Sequence, residues 1–399
     1  MRRLPPNEVR LLELVKLLDI PDSYYDKAVS RYQSLGEWFE RPESTIRGFA
    51  PRVSPQGSFR LGTVIRPLAQ NEEYDIDLVC QLLLLDKTSI SQRALKHLVG
   101  NEVKSYAVAH GIKAPVKEGK RAWRLDYADE VSFHIDILAS IPEDGATIKR
   151  IVATGVAEEL ATNAIALTCT IDPNYDYISN LWPTSNPIGY GTWFEGRMAA
   201  VAKARREQLF AKGLYASIDD VPTYRLKTPL QRSIQLLKRH RDILFQNAQD
   251  LKPISMLITT LAAQAYAGES DLCTSLSGIL DKMPHLIRRQ SPRVPNPTNF
   301  GEDFANKWSE DSRLEENFKA WHDQATRDVR SILSEPSPRR LGHLYEKGFS
   351  VRMNAKTLEE MTDTASSSTQ GVATSAGIVT VPRSPIRIPR SSPAPWGDD

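Results

Sequence analysis

The chain has 399 residues, of which 25% are charged, and a formal net charge of +2. Its balance of 51 basic and 49 acidic residues does not favour a nucleic-acid polymer as the main ligand. The three cysteines, Cys80, Cys169 and Cys273, fit neither a disulfide framework nor the spacing of a zinc site. With no long apolar run and no signal-peptide pattern, the sequence predicts a cytoplasmic, zinc-free protein outside the membrane.

The first predicted elements are two helices. Residues 8–18 and 22–38 carry apolar side chains at helical spacing. We expect residues 1–45 to form N-terminal helices that pack on the core. A catalytic lobe is predicted for residues 46–170, and a crossover or lid segment for residues 171–222.

A short turn with an unusual composition follows, between a predicted strand and a predicted helix. Glycine allows the backbone to approach an anion closely and to adopt dihedral angles that other residues avoid. A serine hydroxyl and free backbone amides at such a turn form a phosphate cradle. Gln56, Gly57 and Ser58 are therefore predicted to bind a triphosphate.

Carboxylates then recur on two strands whose other residues are apolar. Successive side chains of a strand point to opposite faces, so Asp75 and Asp77 project to the same side. Asp136 stands alone in a similar stretch, residues 133–138. Because burial of unpartnered carboxylates is costly, a divalent cation is the simplest reason for three of them to converge. Asp75, Asp77 and Asp136 are the predicted metal ligands.

The elements around the third carboxylate follow from periodicity. Residues 91–110 carry apolar side chains on one helical face, and residues 123–138 have the pattern of two antiparallel strands joined near residues 128–130. Residues 172–196 are rich in Asn, Pro, Tyr and Trp, which is typical of an irregular connection.

The second half of the chain is predicted to be a helical lobe, residues 223–345. Thr228 and Pro229 form a cap and first turn for a helix over residues 230–245. From residue 362 the composition shifts to Ser, Thr, Ala and Pro without an apolar period, so residues 362–399 are predicted to be a flexible tail.

Two polar positions of the helical lobe are predicted to hold a triphosphate. Lys238 lies on a polar stripe of the helix over residues 230–245, and Ser255 lies in the first turn of the next helix. A solvated helix face and a simple capping serine are the alternatives. His134 shares the face of Asp136, and we expect it to be a hydrogen-bonded structural residue rather than a metal ligand.

The order of a phosphate-binding turn, a paired-carboxylate strand and a third carboxylate resembles nucleotidyltransferases of the DNA polymerase beta type. Residues 56–67 and 74–79 are similar to those of bacterial cyclic-oligonucleotide synthases of anti-phage (CBASS) systems, which are relatives of the animal cyclic GMP-AMP synthase. Three later runs also resemble segments of that family: residues 230–242, 252–256 and 295–300. The resemblance covers about residues 45–345.

This resemblance implies an α+β, bilobal enzyme with a sheet-containing N-terminal lobe and a mainly helical C-terminal lobe. It implies that nucleoside triphosphates, ATP and GTP, are joined with loss of pyrophosphate into a cyclic di- or trinucleotide such as cyclic GMP-AMP. The messenger would activate a separate effector protein. Two Mg²⁺ ions, or Mn²⁺, would be held by Asp75, Asp77 and Asp136, and the family's lysine and serine that match Lys238 and Ser255 hold the donor triphosphate.

The sequence departs from the family at one position. An aromatic residue follows the matching serine in the animal enzyme and stacks on a base, whereas Met256 stands here, which leaves Tyr190, Trp193 and Tyr224 as candidates. The animal enzyme's zinc-binding insertion is absent, so activation by duplex DNA is not expected.

The sequence also allows two alternative functions. One is a template-independent synthase of linear products, of the oligoadenylate or tRNA-tailing type. The other is a non-catalytic nucleotide-binding or antitoxin module on the same scaffold, which three retained carboxylates disfavour.

Overall fold

The computed structural model describes residues 4–68, 74–127, 133–211 and 227–366. Its helices, in chain order, are α1 (Pro6–Lys16), α2 (Asp22–Glu40), α3 (Gly57–Arg60), α4 (Gln92–Ala109), α5 (Gly145–Ala153), α6 (Glu158–Ala161), α7 (Pro187–Ala211), α8 (Pro229–Leu244), α9 (Ser255–Ala265), α10 (Leu272–Lys282), α11 (Ser312–Ser334), α12 (Pro338–Phe349) and α13 (Ala355–Ser366). Its strands are β1 (Pro51–Pro55), β2 (Tyr74–Leu82), β3 (Lys117–Glu118), β4 (Ala122–Tyr127), β5 (Phe133–Pro142), β6 (Ile165–Leu167), β7 (Thr184–Ser185), β8 (Pro295–Asn296) and β9 (Asn299–Asp303).

The chain divides into two compact units. One, formed by residues 20–227 and 290–304, contains the strands. The other, which in the described chain comprises residues 4–19, 228–289 and 305–366, is helical. This confirms the predicted α+β class with a sheet-containing and a mainly helical part.

Within the described residues, the larger sheet of this unit has seven strands, and β8 and β9 form a separate pair. The order is β1-β2-β5-β4-β3, and β6 pairs with β5 and with β7. Strands β2 and β5 run parallel, while β1 with β2 and β4 with β5 are antiparallel. The predicted strand pair over residues 123–138 is confirmed as β4 and β5, and its predicted connection at residues 128–130 lies outside the described residues.

One face of this sheet forms the core of the unit. Ile76, Leu78, Ile135 and Ile137 alternate along β2 and β5, and all four are buried. They share one apolar cluster with residues of α2 and α4, such as Leu35. Because side chains alternate, the residues between them point to the opposite face of the sheet.

The first helix belongs to the helical unit, which corrects the predicted grouping of residues 1–45. Glu8 of α1 accepts hydrogen bonds from the backbone amides of Leu272 and Cys273 at the start of α10, at 2.9 and 2.8 Å. Arg10 donates to the carbonyl of Ile332 near the end of α11, at 2.9 Å. Buried charges therefore fasten α1 to the helical unit at two helix ends, whereas α2 belongs to the sheet unit.

Two further predicted boundaries differ from the structure. The end of the predicted irregular connection, residues 187–196, is instead the first part of α7, a helix of 25 residues. The helix contains two glycines that close packing explains: a Cβ atom at Gly189 would lie 2.5 Å from Asn186, and one at Gly191 would lie 3.0 Å from Arg60. The start of the predicted tail, residues 362–366, is the end of α13, and residues 367–399 lie outside the described residues.

Candidate active site

Two of the three predicted carboxylates are direct neighbours across the sheet. Asp77 of β2 and Asp136 of β5 are register partners, and Asp75 is paired with His134. Partners in a parallel pair present their side chains to the same face, which is the face opposite the apolar core. Asp75 is exposed, while Asp77 and Asp136 are partly buried. The structure thus places all three predicted carboxylates on one side of two adjacent strands.

The predicted phosphate-binding turn abuts this face. Gln56 donates a backbone hydrogen bond to the carbonyl of Asp77 at 2.8 Å. Gly57 has φ +61°, and a Cβ atom at this position would lie 2.3 Å from Oδ2 of Asp77. Only glycine tolerates both that backbone conformation and that proximity. The turn closes with the amide of Thr63 bonded to the carbonyl of Ser58 at 2.9 Å.

Asp136 is engaged by a cation that the sequence analysis did not select. Nε and Nη2 of Arg124, on β4, donate to Oδ1 and Oδ2 of Asp136, both at 2.8 Å. This hydrogen bonding raises the pKa of the Arg124 guanidinium. The negative charges of Asp136, Asp75 and Asp126 raise this pKa further. Arg124 is the register partner of Asp136. The sequence predicts this strand pair, but only the register of the two strands would have identified Arg124 as the partner of Asp136.

The remainder of the polar face is a second ion-pair group. Nδ1 of His134 lies 2.6 Å from Oδ1 of Asp126, and Nζ of Lys117 lies 2.9 Å from Oδ2 of the same carboxylate. Burial opposes ionisation of Asp126, but these two hydrogen bonds lower its pKa. His134 therefore has the hydrogen-bonded environment expected of a structural residue.

The donor chemistry of the face suits a hard divalent cation, because carboxylate oxygens are the ligands that Mg²⁺ and Mn²⁺ prefer. Within the described ranges, however, no group of three or more His, Cys, Asp or Glu side chains is arranged to hold a metal ion. Asp136 instead has both oxygens on Arg124. The three carboxylates are thus present on one face as potential ligands, without a formed cage.

Helix α8, in the helical unit, begins where the sequence predicted. The Thr228 hydroxyl accepts from the amide of Gln231, and the Gln231 side chain accepts from the amide of Thr228, which completes a capping box after which Pro229 opens the helix. The polar face of this helix is not solvated, however, because Gln235 is 0% exposed and Lys238 is 7% exposed. The solvated alternative for Lys238 is therefore wrong.

Ser255 is also not the simple capping serine that the sequence allowed as an alternative. It is the first residue of α9, whose N-cap is Ile254, and no side chain caps the helix. The Ser255 hydroxyl accepts a hydrogen bond from Nη1 of Arg241 at 2.9 Å, and the same nitrogen donates to the carbonyl of Pro253 at 3.1 Å. Arg241 thus ties α8 to the start of α9, and the contact of Lys238 or Ser255 with a triphosphate stays a prediction.

The candidates for base stacking divide three ways. Tyr190 is 4% exposed and packs against Trp193 and Phe304, with ring centroids 5.3 and 6.2 Å away. That burial leaves little of its ring open to a base. Trp193 is partly exposed, and Tyr224 lies outside the described residues.

All three cysteines are free thiols. Across the described parts of the chain, none of the helices combines the length and apolar character required to cross a membrane.

Comparison with known proteins identifies the part of the chain that carries this face. Residues 51–139 match the family model described as the nucleotidyltransferase domain of cyclic GMP-AMP synthase DncV-like proteins. That interval contains the glycine-serine turn, the three carboxylates and Arg124.

Two curated relatives match over most of their length. A c-di-GMP synthase of Roseivirga ehrenbergii is 26% identical over 319 residues, which are 78% of this chain and 75% of that protein. The cyclic dinucleotide synthase CdnG of Bradyrhizobium diazoefficiens is 25% identical over 332 residues, which are 79% of this chain and 73% of that protein. The structure of CdnG in complex with GTP aligns with a TM-score of 0.64 and 21% identity over 90% of this chain and 99% of that one. The fold is therefore shared along nearly the whole chain.

Proposed function

We propose that this chain, whose residues 51–139 match the model of the DncV-like nucleotidyltransferase domain, condenses nucleoside triphosphates into a cyclic dinucleotide with release of pyrophosphate. The observation that carries the proposal is the register of Asp77 with Asp136, combined with the close approach of Gly57 to Asp77. Nucleotidyl transfer needs a triphosphate positioned beside groups that can hold metal ions, and a turn suited to phosphate beside paired carboxylates supports that role.

The reaction consists of two equivalent transfers. A ribose hydroxyl oxygen of one nucleotide attacks the α-phosphorus of another, the bond from that phosphorus to the β-bridging oxygen breaks, and pyrophosphate leaves. The hydroxyl proton is lost in the same step, and we assign its removal to Asp136. A second transfer within the linear product closes the ring.

Different residues of the sheet face have different proposed roles, in triphosphate binding and in metal binding. Gln56, Gly57 and Ser58 would bind and orient the triphosphate through backbone amides and the serine hydroxyl. Asp75, Asp77 and Asp136 would hold two Mg²⁺ ions, for which Mn²⁺ can substitute. Bound there, the ions would neutralise the charge that develops on the attacking and leaving oxygens. In the helical unit, we retain Lys238 and Ser255 as the proposed triphosphate ligands.

The relatives narrow the choice of product. One is named a c-di-GMP synthase, the other a cyclic dinucleotide synthase, and the structure of the latter was determined with GTP. These names support a dinucleotide over a trinucleotide and GTP as a substrate, with ATP as the other purine nucleotide to test. We further propose that the product acts on a separate effector protein in anti-phage defence, in the cytoplasm, where free cysteines are stable.

The test is an analysis of products. Purified protein is incubated with Mg²⁺ and α-³²P-labelled GTP or ATP, alone and together, and the products are treated with phosphatase and identified by mass. We expect pyrophosphate release and a phosphatase-resistant product with the mass of a cyclic dinucleotide. A phosphatase-sensitive ladder would instead establish a linear oligonucleotide synthase, and the absence of pyrophosphate release would indicate a non-catalytic module.

A further inference from the structure

The ion pair between Arg124 and Asp136 occupies the carboxylate on which the proposed chemistry depends. Both oxygens of Asp136 accept from the guanidinium, in the bidentate geometry that makes such pairs strong. A cation that binds Asp136 needs at least one of the same oxygens. A cation on either oxygen would lie next to the positive guanidinium, and the two positive charges repel each other, so the two interactions compete.

The position of Arg124 suits a stand-in for a cation. It lies on β4, beside β5, so its side chain shares the face on which Asp75, Asp77 and Asp136 stand. Its guanidinium bonds to both oxygens of Asp136, on the face that Asp75 and Asp77 also occupy. Arg124 thus offsets the mutual repulsion of carboxylates that a divalent ion would otherwise neutralise.

The exposure of the pair indicates that it can open. The Arg124 side chain is 41% exposed and the Asp136 side chain is 22% exposed. An ion pair with this access to water is stabilised by only a modest free energy, because water solvates both charged groups when the pair separates. A guanidinium on a long flexible side chain can then turn to solvent without unfolding the sheet.

On the premise of the proposed function, we propose that Arg124 is a positioning residue that competes with the divalent cation for Asp136. In the nucleotide-free protein it holds both carboxylate oxygens and weakens cation binding. When a nucleotide brings a cation, Arg124 gives up at least one oxygen. The consequence is that the metal site fills mainly together with substrate.

A second role for Arg124 makes the opposite prediction. If the guanidinium keeps one oxygen of Asp136 while the cation takes the other, it orients the ligand and strengthens cation binding, as outer partners of metal ligands commonly do. The sign of the change in affinity on removing Arg124 separates the two roles.

The experiment measures Mn²⁺ binding to the nucleotide-free, full-length protein by electron paramagnetic resonance. Arg124→Gln is compared with the wild type and with Lys117→Gln. Lys117 supplies the matched control, because it carries the same charge on the same face but pairs with Asp126. We expect Arg124→Gln to bind Mn²⁺ about fivefold more tightly or better, and Lys117→Gln to change the affinity less than about twofold. Arg124→Lys, which cannot bond in bidentate fashion, should fall between wild type and Arg124→Gln.

Several outcomes would overturn the inference. Weaker or unchanged Mn²⁺ binding in Arg124→Gln would do so, as would equal gains in Arg124→Gln and Lys117→Gln, which would reflect net charge alone. Thermal unfolding of each variant confirms that the comparison is made between folded proteins.

Failure of the inference is distinguishable from failure of the proposed function. Mn²⁺ binding that disappears in Asp136→Asn, but does not tighten in Arg124→Gln, contradicts the competition and leaves the metal site standing. Absence of binding to both wild type and Arg124→Gln, with and without GTP, contradicts both.

Discussion

Charged side chains occur in two contrasting settings in this molecule. On the polar face of the sheet, Arg124 is 41% and Asp136 is 22% exposed. On helix α8, Lys238, Arg239 and Arg241 are 7%, 4% and 4% exposed. Partly exposed ion pairs exchange partners at small cost, whereas a buried charge that loses its partner costs about 3–5 kcal/mol. The sheet face is therefore suited to chemistry that rearranges charges, and α8 to holding charges in fixed positions.

The largest loss of activity is expected from substitution of Asp77, on the sheet face. Asp77→Asn should reduce pyrophosphate release at least about 10³-fold, because it removes a proposed metal ligand, while the unfolding temperature changes little. Asp126→Asn is the matched control, since Asp126 lies on the same face but pairs with Lys117 and His134. It should retain turnover within about tenfold. Normal turnover by Asp77→Asn would break the assignment of the face.

The next effect concerns the glycine that approaches Asp77. Gly57→Ala should reduce turnover about 100-fold, because the new methyl group would displace the Asp77 carboxylate. Gly111→Ala is the control: Gly111 has φ +65°, close to the +61° of Gly57, but nothing lies within 4 Å of its missing Cβ. Both variants should lose about 1 kcal/mol of unfolding free energy, measured by urea denaturation. Equal turnover in the two would show that backbone strain, not contact with Asp77, explains Gly57.

Two adjacent buried cations of α8, Lys238 and Arg239, should respond differently to substitution. Lys238→Met should raise the KM for the nucleotide about tenfold, because it removes a proposed triphosphate ligand. Arg239→Met should leave KM unchanged and lower the unfolding free energy by about 3 kcal/mol. Steady-state kinetics at several nucleotide concentrations, with urea denaturation alongside, separates the two. A KM increase confined to Arg239→Met would reverse the assignment.

The smallest effect is a pH dependence in the helical unit. Burial opposes ionisation of Asp328, but hydrogen bonds from His240 and Gln324 lower its pKa below that of an unfolded carboxyl group. Its stabilisation is therefore complete above the unfolded pKa of about 3.9 and disappears as the pH falls through the folded value. Asp328→Asn should cost about 1–2 kcal/mol at pH 7, and the difference from wild type should shrink below about pH 4.

The exposed neighbour of Asp328 on the same helix provides the control. Asp323 has a side chain that is 68% exposed, so Asp323→Asn should change the unfolding free energy by less than about 0.5 kcal/mol at any pH. A pH-independent loss in Asp328→Asn would mean that packing, rather than the ionised carboxylate, stabilises this part of α11.

The two regions also differ in how far the sequence predicts them. Strand alternation alone places Asp75 and Asp77 on one face, and the glycine-serine turn marks its neighbour. The pairing of Asp77 with Asp136 and of Arg124 with Asp136 depends on the parallel register of β2 and β5 and on the hairpin register of β4, which alternation does not determine.

On α8 the cap and the helix were predictable, but the surroundings of its polar residues were not. Their partners come from distant parts of the chain: Asp19 accepts from Arg232 and Gln235, and Asp328 lies beside His240. The polar stripe left a solvated helix face open as an alternative, whereas the fold supplies buried partners for these residues. The same reason explains why α1 was grouped incorrectly, since its buried charges bond to helix ends more than 250 residues away.

Anomalous scattering from crystals grown with Mn²⁺ and a non-hydrolysable nucleoside triphosphate would locate the metal ions relative to the three carboxylates. We expect two peaks, each within coordination distance of carboxylate oxygens of Asp75, Asp77 or Asp136, with Arg124 released from at least one oxygen of Asp136. Peaks elsewhere in the chain, or Mn²⁺ bound while Arg124 still holds both oxygens of Asp136, would contradict this expectation.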